Sequence, residues 1–163
     1  MEFYTGKVGQ DRIVQTIDFG TLDTAAYADN DVLTSGAIAV DAGRFLGFSG
    51  VIESINLIEY SSGTVQQPFL RIWVFGSAIT PSARNAAKNF TGAQLDLLVT
   101  YFDMSNSAWI NAGTNTAANQ KTVNIPYVCQ STSRTLYIVP EIKQSATFAS
   151  GARIKGQIVL RRD

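Results

Sequence analysis

The chain has 163 residues, 45% of them hydrophobic, with 13 basic and 13 acidic side chains. That is one domain's worth of sequence with enough apolar content for one core, which excludes a disordered chain. Zero net charge argues against nucleic-acid binding, which needs a basic surplus to neutralise phosphates, and charged residues make up only 16%, so this weakly charged surface suits coverage by partners.

Residues 1–11 show no strand pattern but contain Phe3, Tyr4 and Lys7. Aromatic residues in a glycine-containing arm either fray without a role or dock on a neighbouring protein, and docking is the expectation taken forward. The arm is set apart from a single domain over 12–163. The N-terminus lacks a basic stretch followed by an apolar one, which predicts synthesis and folding in a cytoplasm rather than export. No apolar run reaches the length of a membrane span.

From residue 12 onward the dominant period is two. Residues 12–19 alternate, with Ile13, Ile17 and Phe19 on one side. Asp23, Asp29, Asn30 and Asp31 offer oxygen ligands for a cation, but the glycine and closing glutamate of a calcium loop are missing, so a turn is the main reading. Further strands are predicted at 32–40 and 51–60. At 69–75, Leu70, Ile72 and Val74 oppose Phe69, Trp73 and Phe75, as in a central strand covered on both faces. The 51–60 run reads the same way, with Val51, Ile55 and Leu57 opposing Ile52, Ile58 and Tyr60. Thr91 followed by Gln94 and an apolar run is a capping-box signature for one short helix near 91–98. Strands follow at 99–104, 108–111, 122–130, 135–142 and 152–162. Pro126 and Pro140 confine two of them to edges or bulges. In the last strand Ile154, Ile158 and Leu160 point inward. Short strands separated by turns predict an all-β antiparallel sandwich or barrel.

Histidine is absent, which removes Ser-His-Asp and Cys-His catalysis and histidine metal sites. Cys129 is the one cysteine and reads as a buried, inert thiol. Glu53 and Glu59 lie six residues apart on one strand, about 20 Å by strand rise and too far for a glycosidase pair, so they read as solvated strand charges. Trp73, Trp109, Tyr60, Tyr101 and Phe102 are either core and interface residues or a sugar-stacking platform, and the former is the main reading. No catalytic, metal or cofactor site is expected, and the chain is not expected to be an enzyme.

Three blocks carry a resemblance. The segment Asp23-Thr24-Ala25-Ala26-Tyr27-Ala28-Asp29-Asn30-Asp31-Val32-Leu33 is similar to a "D-T-x-x-Y-x-x-G-D-V-[IL]" opening, with Asn30 where that pattern often has Gly. Pro81-Ser82-Ala83-Arg84-Asn85-Ala86-Ala87 precedes Thr91-Gly92-Ala93-Gln94-Leu95. Val123-Asn124-Ile125-Pro126-Tyr127 precedes Leu136-Tyr137-Ile138-Val139 and the final strand. Their order and spacing resemble the small capsid decoration, or cement, proteins of tailed bacteriophages, of marine and cyanobacterial type. The resemblance implies a jelly-roll-like β-sandwich on the exterior of a virion head. It implies the major capsid protein as partner, a homo-oligomer (dimer or trimer), and no nucleic acid, membrane or cofactor. The competing reading is a carbohydrate-binding module of a phage fibre or tail, or another lectin-like sandwich.

Overall fold

The strand order follows from one long hairpin folded over itself. The computed structural model describes residues 11–162. The first half of the chain supplies β1 (Asp11–Thr21), β2 (Ile38–Asp41), β3 (Ser49–Tyr60) and β4 (Leu70–Phe75). The second half supplies α1 (Gly92–Leu95), β5 (Leu98–Met104), β6 (Ile110–Gly113), β7 (Thr116–Val128), β8 (Thr135–Ile142) and β9 (Arg153–Arg162). The halves pair antiparallel from the ends inward: β1 with β9, β2 with β8, β3 with β7, β4 with β5. Wrapping this hairpin brings β9 against β3 and β8 against β4. A five-stranded sheet, β1-β9-β3-β7-β6, then faces a four-stranded sheet, β2-β8-β4-β5. With β6 counted as an extra strand, that is the order of a jelly roll. The all-β antiparallel sandwich expected from the sequence is the fold.

The core lies between the sheets. Ile17, Phe19, Ile52, Ile55, Leu57, Ile154, Ile158 and Leu160 enter it from one side. Leu70, Ile72, Val74, Phe102, Leu136, Ile138 and Ile142 enter from the other. Alternation at period two made these faces readable, because successive side chains on a strand point to opposite sides.

A second apolar cluster covers the outer face of the four-stranded sheet. Trp73, Phe75, Val32 and Val139 are buried there against Ile79, Phe90, Leu97 and Leu98. The cover comes from the β4–β5 connection, so the expectation of a layer over both faces of β4 is met. The capping box also forms: the Gln94 backbone N–H donates to Thr91 Oγ1, and the Thr91 N–H donates to Gln94 Oε1.

The structure corrects several boundaries. Asp11, assigned to the arm, is the first residue of β1 because its backbone pairs with Arg162. The strand expected over 32–40 shrinks to Ile38–Asp41. Val32 and Leu33 are buried in different clusters, and the Thr34 hydroxyl donates to the Gly36 carbonyl in a bend between. The strand expected at 108–111 starts at Ile110, after a 3-10 turn whose Ser105 side chain caps Ser107. The strand at 122–130 begins earlier, at Thr116. The outward face of β3 carries no covering layer. A bulge at Glu53 puts Ile52 on the same side as Ile55 and Leu57, so the two-faced pattern records a register shift. Pro126 sits on β7 beyond the reach of β6, where β7 is an edge, and Pro140 lies past the end of β2.

Candidate functional site

The connection from β2 to β3, residues 42–48, holds two neighbouring large apolar side chains out in solvent. Both of its ends are held. The Ala42 and Gly43 N–H groups donate to the Arg134 carbonyl at 3.0 and 2.8 Å, and the Gly47 N–H donates to Ser133 at 2.8 Å. Tyr127 donates its hydroxyl to the Ala42 carbonyl at 2.6 Å. Gly47 has φ +71°, a left-handed conformation that side-chain-bearing residues rarely adopt. Between these clamps Phe45 and Leu46 are 70% and 64% exposed. The Phe45 ring lies 6.2 Å from Phe48, and Val128 is also exposed. Paired charges surround the tip: Arg44 with Asp11 at 3.3 Å, Arg134 with Asp41 at 3.9 Å, and Arg162 with both aspartates. A large apolar pair held out by an anchored loop has the character of an interface anchor. Sequence periodicity did not single it out because a loop has no period. The run Gly43-Arg44-Phe45-Leu46-Gly47-Phe48, with Phe45 and Leu46 between glycines, was the available signal.

The sequence-predicted candidates fall elsewhere. Phe3, Tyr4 and Lys7 lie outside the described residues. The Asp29-Asn30-Asp31 segment is a turn: Asp31 Oδ2 accepts from the Ala28 N–H at 2.7 Å, and Asn30 has φ 74°. That φ explains the position in physical terms, since glycine and asparagine are the residues that enter this region readily. Tyr27 is fully buried, edge-on to Phe148, and accepts the Asp23 N–H. Among the described residues no group of three or more His, Cys, Asp or Glu is placed to hold a metal.

The five rings do not form one exposed platform. Trp73, Trp109 and Phe102 are buried, and Trp109 donates its indole N–H to the Pro68 carbonyl at 2.8 Å. Tyr60 and Tyr101 are exposed on different sheets. Tyr101 lies tilted against Trp73, 4.9 Å between ring centroids, and under the Arg71 guanidinium, which grips Asp103 through two hydrogen bonds. That clamp holds the Asp103 carboxyl below its ordinary range.

Glu53, Glu59 and Glu141 are each held by partners within the fold. Glu53 takes Arg12 at 2.7 Å and Arg161 at 3.6 Å. Glu59 corrects the reading as a solvated charge. It is fully buried, accepts the Gln66 and Gln67 N–H groups at 2.8 Å each, and so fixes the β3–β4 connection. Burial pushes its carboxyl up, with those two hydrogen bonds pulling the other way. Glu141, also fully buried, accepts from the Trp73 indole and from Lys88 at 3.1 Å, with Lys143 at 3.3 Å. Lys143 continues to Asn30 at 2.6 Å and Asp29 at 3.2 Å. One carboxylate thereby ties β4, β8 and two connections together. Cys129 is buried, and burial raises its thiol.

No protein-family model matches the chain, and no curated protein matches it. Among solved structures it is similar to VP2 of an infectious bursal disease virus subviral particle, at 10% identity and TM-score 0.38, over 92% of this chain and 32% of that one. It is also similar to Desmodium yellow mottle tymovirus, at 10% identity and TM-score 0.30, over 100% of this chain and 94% of that one. The chain thus spans about a third of the VP2 chain it matches. The topology described above stands on the strand pairing, independently of these likenesses.

Proposed function

We propose that the protein is a non-enzymatic structural component of a virion, a decoration or cement protein on the exterior of a phage head. A jelly roll alone does not specify a function, since the same frame serves capsids, lectins and enzymes. The observation that carries the reading is the Phe45–Leu46 tip, exposed at the end of a rigid sandwich and anchored by four hydrogen bonds. The resemblance of three sequence blocks to those of phage decoration proteins supports it. The mechanism is mechanical: copies that bridge neighbouring major-capsid subunits add buried area across seams loaded by packaged DNA. A homo-oligomer at local two-fold or three-fold positions fits a capsid's symmetry.

The test mixes the purified protein with undecorated heads and measures occupancy by cryo-electron microscopy. Burying each tip side chain contributes about 1.5–3 kcal/mol, so Phe45→Ser with Leu46→Ser weakens binding by roughly a hundredfold or more. Deleting residues 1–10 tests the separate contribution of Phe3, Tyr4 and Lys7. Absence of wild-type binding refutes the decoration role. Full occupancy by the tip variant refutes the assignment of the docking element.

A further inference from the structure

We propose that the outward face of the five-stranded sheet carries a saccharide-binding groove lined by Thr16, Asn56, Ile58, Tyr60, Lys155 and Gln157. The site goes beyond the role on a virion and does not depend on it. The groove encloses about 270 Å³. It lies on the face that no layer covers, whereas the outer face of the other sheet is filled by the β4–β5 connection.

The register builds it. Thr16, Gln157, Asn56 and Gln120 stand in one row across β1, β9, β3 and β7. The next row places Lys155 beside Ile58, and the row after that pairs Arg153 with Tyr60. Asn56, Ile58 and Tyr60 therefore follow one another at two-residue steps along one strand face. That puts amide and ring about 13 Å apart at their Cα atoms, with Ile58 as the floor between them. The lining suits a pyranose by its chemistry: hydroxyls toward the amides, the C–H face toward Ile58 and the 44%-exposed Tyr60 ring.

Two further observations favour a polyhydroxyl ligand. Asn56 Oδ1 is buried and has no hydrogen-bond partner, so it gains a donor only where its side chain turns toward the groove and a ligand O–H meets it. Charge is not the recognising element, because Lys155 is drawn to Asp18 at 3.8 Å, and Asp18 is held by Arg153 through two hydrogen bonds.

The experiment is an amide chemical-shift titration of the full chain with single sugars: glucose, galactose, mannose, N-acetylglucosamine and glucuronate. A ligand of this size predicts a Kd in the low-millimolar range. The expected result is saturable shifts confined to residues 16, 56–60 and 155–157 with at least one sugar. Tyr60→Ala and Asn56→Ala each weaken that response about tenfold or more, whereas Tyr101→Ala, an exposed ring on the other sheet, leaves it unchanged. Tyr60 is exposed, so its variant tests the site even where Asn56→Ala fails to fold. The proposal is overturned by an absence of shifts with every sugar, or by an unaltered response in Tyr60→Ala. It is equally overturned if these amides shift with protein concentration alone, which makes the face a self-association surface. Head binding is measured separately, so either proposal can fail while the other stands.

Discussion

Glu141→Ala removes the carboxylate on which the covered side of the sandwich converges. The Trp73 indole N–H, on a residue only 8% exposed, loses its acceptor. A buried donor left without a partner costs about 1–3 kcal/mol. Lys88 and Lys143 are 22% and 18% exposed at their side chains, so water takes over part of their solvation. Lys143 also keeps Asp29 and Asn30. Lys88 keeps the Trp73 ring, 4.5 Å from its Nζ. The two lysines together therefore add about 1 kcal/mol after screening. The sum of about 2–4 kcal/mol lowers the melting temperature of a chain this long by roughly 4–16 °C. Circular dichroism and tryptophan emission should report the same transition. Hydrogen exchange should quicken at 28–33 and 84–90, the connections tied to Glu141. Glu141→Gln keeps an acceptor for Trp73 and should recover at least half of the loss. If Glu141→Ala melts with the wild type, the network is not a structural tie and the account of this layer is wrong.

Other outcomes follow from particular residues. Ile158→Ala empties a fully buried core position and should destabilise by about 2–5 kcal/mol, while Val14→Ala, 53% exposed on the neighbouring strand, should melt like the wild type. Cys129 should react slowly with a thiol reagent when native and fast when denatured; immediate native labelling would contradict its burial. Asp18 and Asp103 are held below 3.8 chiefly by hydrogen bonds from Arg153 and Arg71, so their stabilising contributions are complete above that value and disappear as pH falls through the lowered ones. Asp18→Asn should lose stability near neutrality and show a shallower acid decline in denaturant titrations. Glu59 acts with the opposite sign, because its folded carboxyl is raised above 4.5. Lowering pH through the raised value adds stability until the unfolded chain also protonates, and Glu59→Gln should abolish that gain.

The sequence by itself determined most of the strands and the inward face of β9, because one buried face imposes a period of two that survives without neighbours, and it marked β4 as a central strand because its residues are apolar on both faces. It also determined the short helix, since a capping box is satisfied within four residues. It determined the burial of Cys129, which follows from its apolar run. The strand boundaries at 32–37 and 108–109, and the flip of face at Glu53, depended on tertiary contacts that no local pattern encodes. So did the fates of the acids. Glu53 and Glu59 look alike in the sequence, yet one meets two arginines at the surface and the other is buried against backbone N–H groups of a connection. The rings separated for the same reason: which sheet a strand joins is settled by pairing between distant halves of the chain. The Phe45–Leu46 tip became visible only when Ser133 and Arg134 were seen to hold its loop outward. The groove beside Tyr60 needed the register of three strands. Surfaces of this kind are assembled from residues far apart in the chain, and only folding brings them together.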